Sequence, residues 1–154
     1  MTSRNLEILD RDECMALLRT QVVGRVGVQF ATEPTVLPVV FAMLGDDVVF
    51  RTDPGTKLSA AVMGAMVAFE VDEADAATRS GWSVVVVGPA EEVREAATLA
   101  KVEALGLAPW APEGRDHVIR ISARRVKIEL LRRAGPEWGF SLYEVEVHAD
   151  PGEA

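Results

Sequence analysis

The chain has 154 residues, of which 49% are hydrophobic, and a formal net charge of -8. This length and composition predict one globular domain with its own core and exclude an intrinsically disordered chain. The acidic balance disfavours nucleic acid as a partner, the single Cys14 excludes an internal disulfide, and no apolar run is long enough to cross a membrane, so we expect a cytoplasmic protein.

The first part of the chain is predicted to form a short helix and three antiparallel strands. The elements are a helix over residues 12–19 and strands over residues 25–30, 35–44 and 48–52. Asp10 and Glu13 have the spacing of a capping box at the start of the helix. Pro38 cannot donate a hydrogen bond to a neighbouring strand, so it indicates a free edge or a bulge in the second strand.

The second part of the chain mixes further strands with two helices. The elements are helices over residues 57–64 and 95–105, and strands over residues 66–72, 82–87 and 117–131. Residues 82–87 are continuously apolar, which indicates a strand buried on both faces. In an antiparallel protein such burial is typical of a barrel interior on one side and a second subunit on the other. Gly88 and Pro89 are expected to bend this strand.

Six or more strands with only three short helices predict a mainly β (α+β) fold. We expect a six-stranded antiparallel β-barrel with short flanking helices, because closure removes exposed strand edges. No internal repeat or linker is visible. We therefore expect the barrel domain to span residues 1–131 and an acidic, aromatic tail over residues 132–154 to pack partly on it.

The motifs of several enzyme classes are incomplete in this sequence. Residues 55–58 lack the hydroxyl that follows the lysine of a Walker loop, and residues 81–85 lack the last glycine of a nucleophile elbow. His117 and His148 are far apart and lie in no ligand pattern, so we expect no metal site. Cys14 is predicted to be a buried filler rather than a nucleophile. No catalytic residue can be assigned.

The turn over residues 51–59 places two cations and three hydroxyls where a strand reverses into a helix. The residues are Arg51, Thr52, Thr56, Lys57 and Ser59. The first turn of a helix leaves backbone N–H groups unpaired and carries a partial positive charge, so anions bind there. The pattern predicts a phosphate site, and an ordinary capped helix with two surface cations is the alternative.

Two further features suit a flat, heteroaromatic ligand. Residues 36–41 form a strand whose interrupted ladder would leave backbone groups free for a ring. Trp82 and Ser83 follow a glycine at the entry of the apolar strand. The structural alternatives are an edge marker for Pro38, a core residue for Trp82 and a strand-end cap for Ser83.

The order and spacing of these features over about residues 9–128 resemble the pyridoxamine 5′-phosphate oxidase-like flavin-binding proteins, the FMN-binding split β-barrels. The resemblance implies a homodimeric split β-barrel with FMN at the subunit interface. It implies that the phosphate and ribityl chain are bound by Arg51, Thr52 and Lys57, and the pattern of the turn adds Thr56 as a further cofactor-binding candidate. It implies that the isoalloxazine lies along Pro38, Val39, Val40 and Phe41. Trp82 and Ser83 would reach the flavin, sometimes across the dimer.

The resemblance also implies an oxidoreductase that transfers hydride to or from an unidentified small-molecule substrate. Pyridoxamine-phosphate oxidation itself is not expected, because the basic residues of the true oxidase are missing after Lys57 and the C-terminus is acidic. One alternative is a deazaflavin-dependent reductase. Another is a non-catalytic sensor or carrier that binds flavin or haem, with His117 as the axial ligand of a haem.

Overall fold

The computed structural model describes residues 9–53, 55–77, 80–107, 117–131 and 147–148. Within these ranges the helices are α1 (Arg11–Arg19), α2 (Lys57–Val62) and α3 (Ala96–Ala104). The strands are β1 (Val23–Phe30), β2 (Glu33–Leu44), β3 (Asp47–Thr52), β4 (Met66–Asp75), β5 (Ser80–Glu92), β6 (His117–Ile121), β7 (Arg125–Leu131) and β8 (Val147–His148).

Six strands close into an antiparallel barrel. Their order is β4-β1-β2-β3-β6-β5, and β5 pairs back with β4 to complete the ring. β7 pairs with β5 and β8 with β7, so these two strands extend the sheet beyond the barrel. The predicted six-stranded barrel with short helices is confirmed. The domain boundary at residue 131 stays a prediction, since residues 132–146 and 149–154 lie outside the described residues.

β5 bends at Gly88 and so serves two parts of the barrel. Its first part pairs with β4 and β7, and residues 90–92 pair with β6. A Cβ atom on Gly88 would overlap the carbonyl oxygen of Ser122, so the chain can pass only because residue 88 has no side chain. This change of partners falls at Gly88 and Pro89, where the sequence predicted a bend.

The strand predicted over residues 117–131 was wrong as a single element. It is divided into β6 and β7 by residues 122–124, which lie opposite the bend of β5. There the Ser122 N–H donates to the Pro89 carbonyl at 3.1 Å, and the Arg124 N–H donates to the Ser122 carbonyl at 2.9 Å. The strands predicted over residues 66–72 and 82–87 are both longer, because β4 continues to Asp75 and β5 spans Ser80–Glu92.

α1 begins as the sequence predicted. Asp10 and Glu13 form a reciprocal capping box, with both backbone-to-carboxylate distances at 2.8 Å. The helix buries Cys14, Met15 and Leu18 completely or almost so. Burial, together with the nearby negative charge of Asp10 and Glu13, raises the pKa of the Cys14 thiol to about 12. The prediction that Cys14 is a buried filler is confirmed.

Apolar side chains gather in two clusters. The main cluster lies within the barrel and under α1, and its largest members are Phe41, Phe50, Phe69, Met15, Leu18, Ile119 and Ile121. A second cluster joins α3 to the outer side of β3 and β6 through Val49, Val93, Val102, Leu107 and Val118. In the part of the chain that the structure describes, no helix has the length and hydropathy needed to span a membrane.

Candidate functional site

The turn between β3 and α2 gathers hydroxyl groups around the start of a helix. Thr56 is the N-cap of α2: its hydroxyl oxygen accepts the Ser59 N–H at 3.1 Å and its hydroxyl hydrogen goes to the Asp53 carbonyl at 3.0 Å. Gly55 adopts a positive φ of 78°, which the turn requires and which suits glycine. The Thr52 hydroxyl oxygen lies 3.3 Å from that of Thr56. We call residues 52–59 the β3–α2 turn.

The turn also holds a carboxylate oxygen without a partner. Oδ1 of Asp53 is buried and has no hydrogen-bond partner among the described residues. Thr52 and Ser59 are buried beside it. Lys57 is the first residue of α2, and the description covers its backbone only. The structure thus brings together Thr52, Thr56 and the backbone of Lys57, and their role as a phosphate site stays a prediction.

Arg51 lies on the opposite side of β3 from Thr52, because successive side chains of a strand alternate. Its Nε donates to the Leu107 carbonyl at 3.1 Å, and its Nη2 lies 2.8 Å from Oε2 of Glu103. A carboxylate beside a phosphate site is expected either to turn away or to pair with a cation such as Arg51; here the ion pair of Arg51 is with Glu103, not with Asp53. Since the Glu103 side chain is 79% exposed, this ion pair contributes little stability and can exchange for another anion.

The predicted ring-binding stretch of β2 borders the β3–α2 turn. Residues 33–40 pair with β1, whereas β3 pairs with β2 only from Phe41 onward. Among the described residues the other edge of residues 33–40 has no strand partner, and this free edge begins where β3 leads into the turn. Along it Pro38 is exposed, Val39 is buried inward and Val40 packs towards α3. Phe41 is buried against Phe69, with ring centroids 4.8 Å apart.

Trp82 and Ser83 form a second group, away from the β3–α2 turn. Both lie on β5, which is separated from β2 by β1 and β4 in the order of the barrel. Trp82 packs half-buried against the main core, and Ser83 lies on the outer face of the sheet. Within one protomer the ten predicted residues therefore lie in two separate groups.

Ser83 belongs to a charged network that the sequence reasoning missed. The Ser83 hydroxyl donates to Oε1 of Glu70 at 3.2 Å. Arg25 from β1 lies 3.5 Å from the Glu70 carboxylate and 3.4 Å from that of Asp72. The available signal was the spacing of Glu70 and Asp72, which places two carboxylates on the face of β4 opposite Val67, Phe69 and Val71. We call Arg25, Glu70, Asp72 and Ser83 the outer-face network.

Within this network the pKa of the Glu70 carboxyl is raised to near neutral pH. Desolvation by burial raises the pKa of Glu70 from 4.5 to about 7, and a hydrogen bond and charge repulsion from Asp72 act in the same direction. The Ser83 hydrogen bond and the Arg25 charge oppose this rise. Glu70 is therefore the described carboxyl that changes charge near neutral pH.

The raised pKa of Glu70 predicts a pH-dependent stability. Because the folded state holds this proton more tightly than the unfolded state, stability should fall as the pH rises from about 4.5 to 7. We expect Glu70→Gln, which cannot ionise, to stabilise the protein at pH 8 by about 1–2 kcal/mol. Urea denaturation at pH 5 and pH 8 measures this, and an equal gain at both pH values would contradict it.

An open cleft lies beside β2 at the end of α1. Its volume is about 250 Å³, and it is lined by Leu18, Arg19, Gln21, Phe41, Ala42, Met43 and Leu105. Of the predicted site residues only Phe41 contributes to it. The described residues contain no group of three or more histidine, cysteine or carboxylate side chains placed to hold a metal ion.

Comparisons with known proteins agree on one group. A family model described as pyridoxamine 5′-phosphate oxidase matches residues 10–136. An uncharacterised protein of Mycobacterium tuberculosis is 38% identical over 125 residues, covering 78% of this chain and 82% of that protein. The solved structure of an FAD-binding protein from Mycobacterium smegmatis is 32% identical with a TM-score of 0.73, covering 83% of this chain and 100% of that one.

A more distant structure shares the fold alone. It is an FAD- and haem-binding protein from Mycobacterium smegmatis, 18% identical with a TM-score of 0.63, covering 94% of this chain and 87% of that one.

Proposed function

Because the chain belongs to the pyridoxamine 5′-phosphate oxidase family, we propose that it binds a flavin whose phosphate lies at the β3–α2 turn. The observation that carries the proposal is the juxtaposition of this hydroxyl-lined turn with the free edge of β2. The FAD-binding protein of Mycobacterium smegmatis, 32% identical, supports the class of ligand. FMN is the flavin expected from the sequence, and FAD contains the same ring, ribityl chain and first phosphate.

The start of α2 suits a phosphate. Helix geometry leaves the N–H groups of Lys57 and Leu58 without a partner within the helix, while Thr56 already accepts the N–H of Ser59. Those two N–H groups, the Lys57 ammonium group and the positive end of the helix would bind a phosphate together. Arg51 would join them on release from Glu103.

The buried carboxylate of Asp53 suits the ribityl chain rather than the phosphate. A carboxylate beside a phosphate is repulsive, but Oδ1 of Asp53 is buried and lacks a donor among the described residues. A ribityl hydroxyl would supply that donor and remove the cost of leaving a buried acceptor unpaired. The donor set of the β3–α2 turn therefore fits a phosphate that is attached to a polyol.

The free edge of β2 suits the flavin ring. Its unpaired backbone groups over residues 36–40 offer hydrogen bonds to the polar edge of an isoalloxazine, and the exposed Pro38 provides an apolar surface beside it. A ring placed here has the phosphate site at the adjoining end of β3. The proposed site thus follows the order ring, ribityl chain and phosphate.

We propose that the protein is a homodimer and that the second copy completes the flavin site. On the outer face of β1, β4 and β5 lies an apolar row formed by Gly27, Ala68, Val85 and Val87, which is half-buried in one protomer. Val36, on the same face, is 66% exposed. A second copy would cover this row and bring its Trp82 and Ser83 to the ring bound by the first.

With flavin bound, we propose that the protein transfers hydride between the ring and a small-molecule substrate. The flavin supplies the hydride chemistry, while the protein binds the ring, orients it and limits the access of water. No described side chain is required as a general acid or base in this scheme. A protein without a catalytic motif is therefore compatible with an oxidoreductase.

The absorption spectrum of the purified protein is the first test. We expect an absorption band at about 450 nm from oxidised flavin. After denaturation we expect release of FMN or FAD, identified by chromatography. Colourless protein that binds neither added flavin would contradict the proposal. Tighter binding of a deazaflavin would support a deazaflavin-dependent reductase, and an intense haem band lost in His117→Ala would support a haem protein.

Lys57→Ala tests the position of the phosphate. We expect the free energy of FMN binding to weaken by about 1–3 kcal/mol, the range for loss of a charge-assisted hydrogen bond. Titration calorimetry measures the affinity, and Lys101→Ala, on the exposed side of α3, is the matched control. Unchanged FMN affinity in Lys57→Ala would place the phosphate elsewhere.

A further inference from the structure

While Glu70 is ionised, the Ser83 hydroxyl can only accept a hydrogen bond from a ligand. A serine hydroxyl has one hydrogen, and in this structure that hydrogen is given to Oε1 of Glu70 at 3.2 Å. The remaining lone pairs of Ser83 Oγ can only accept. Ser83 is 8% exposed, so few rotamers compete with this arrangement.

The neighbours of Glu70 hold it in place for this role. The pairing of β1 with β4 puts Arg25 opposite Glu70, and Arg25 also contacts the carboxylate of Asp72. Asp72 in turn is paired with Ser83 across β4 and β5. Arg25 therefore ties the two carboxylates together on the same face as the hydroxyl.

The other elements around Glu70 add few charges. Val85 of β5 is directly opposite Glu70, and Pro38 of β2 is opposite Arg25. On β7, Lys127 and Glu129 occupy the positions paired with Val85 and Ser83. Among the side chains that the structure describes around it, the charges that contact Glu70 or its neighbours are those of Arg25 and Asp72.

An accepting hydroxyl distinguishes among the edges of a flavin ring. The oxidised isoalloxazine carries one N–H donor, at N3, between two carbonyl groups, and N1, N5 and both carbonyls accept. Ser83 held as an acceptor can pair with the N3–H group and would repel the accepting atoms. A serine free to rotate would make no such distinction.

We propose that Glu70 is a positioning residue of the flavin site, which fixes Ser83 as an acceptor for the N3–H group of the flavin ring. The inference rests on the proposed flavin binding. It adds that the edge of the ring that carries N3–H faces β5 of the second copy in the proposed dimer. Glu70 acts through Ser83 and does not itself touch the ring.

The same arrangement makes recognition of N3–H depend on pH. Burial and Asp72 raise the pKa of Glu70 to about 7, so the carboxyl becomes protonated just below neutrality. A protonated Glu70 is a weaker acceptor and can itself donate to Ser83, which frees the serine hydrogen. The preference for N3–H should therefore fall as the pH is lowered through 7.

The test compares FMN with FMN methylated at N3, by fluorescence titration at pH 6 and pH 8. The measured quantity is the ratio of the affinity for FMN to the affinity for the methylated analogue. At pH 8 we expect this ratio to be about five- to tenfold higher in the unmodified protein than in Ser83→Ala. Glu70→Ala should lower the ratio to that of Ser83→Ala. Glu70→Gln, which is neutral and can also donate through its amide, should give at both pH values the lower ratio that the unmodified protein shows at pH 6.

The outcomes separate this inference from the proposed function. If the unmodified protein binds no FMN, the proposed flavin site fails. If it binds FMN but its ratio equals that of Ser83→Ala, or if Glu70→Ala keeps the full ratio, the role of Glu70 is contradicted. A ratio that changes with pH equally in Glu70→Gln would also contradict it. Glu91→Gln, an exposed glutamate on β5, is the matched control and should behave as the unmodified protein.

Discussion

Gly88→Ala is expected to destabilise the protein by at least about 3 kcal/mol, at the upper end of the cost of overpacking a core. The added Cβ would overlap the carbonyl oxygen of Ser122, a backbone atom that cannot rotate away. That segment is held by hydrogen bonds from Ser122 to Pro89 and from Arg124 to Ser122. Either β5 must unbend or the pairing with β6 must open, and urea denaturation followed by circular dichroism measures the loss.

Gly106→Ala is the matched control for this prediction. Gly106 follows α3 with a φ of 67°, but a Cβ there would meet no atom within 4 Å. Its cost is therefore only that of a left-handed backbone, about 1 kcal/mol. Equal losses in the two variants would show that the contact between residue 88 and Ser122 does not limit the fold.

The barrel could be predicted from the sequence because its signals are local. Alternating apolar residues indicate a strand wherever one face is buried, and the capping box at Asp10 and Glu13 fixes the start of α1 within one turn. The β3–α2 turn was readable for the same reason, since a threonine cap and a left-handed glycine act within a few residues.

The errors arise where distant parts of the chain meet. The break at residues 122–124 is caused by the bend at Gly88, and nothing in the local pattern of residues 117–131 indicates it. The outer-face network depends on the register of β4 with β5 and of β1 with β4. A one-residue slip between β4 and β5 would separate Ser83 from Glu70, and one between β1 and β4 would separate Arg25 from Glu70. Sequence patterns alone could therefore not reveal these contacts.

If the outer-face network served the fold alone, it would lower the stability of the protein. Glu70 is only 27% exposed, its partner Asp72 carries the same charge, and Arg25 lies half in solvent. A well-packed apolar side chain at residue 70 would avoid the desolvation of a carboxylate. Carboxyl groups with raised pKa values are concentrated at functional sites, where their charge or hydrogen bonds are used. The hydrogen bond from Ser83 to Glu70 would give this cost a purpose in the proposed ligand binding.

The interface of the proposed dimer lies on the same face of the sheet as the outer-face network. In one protomer Val84 and Val86 are buried inward, whereas Val85 and Val87 are half-buried on the outside. The sequence predicted burial on both faces of this strand, and a second copy over the apolar row would supply the missing cover. Gly27 and Ala68 keep the row flat, which would let the two sheets approach closely.

If the proposed dimer and flavin site are correct, Ala68→Arg is expected to convert the proposed dimer to monomers and to weaken FMN binding by at least about 100-fold. Residue 68 lies in the middle of the apolar row, where an uncompensated charge buried against a partner costs at least about 3 kcal/mol. Flavin binding should fall with it, because the partner's Trp82 and Ser83 would no longer reach the ring. Light scattering measures the mass, and Ala97→Arg on exposed α3 should remain dimeric and bind FMN normally. A monomeric Ala68→Arg that binds FMN with full affinity would show that one protomer holds the whole site.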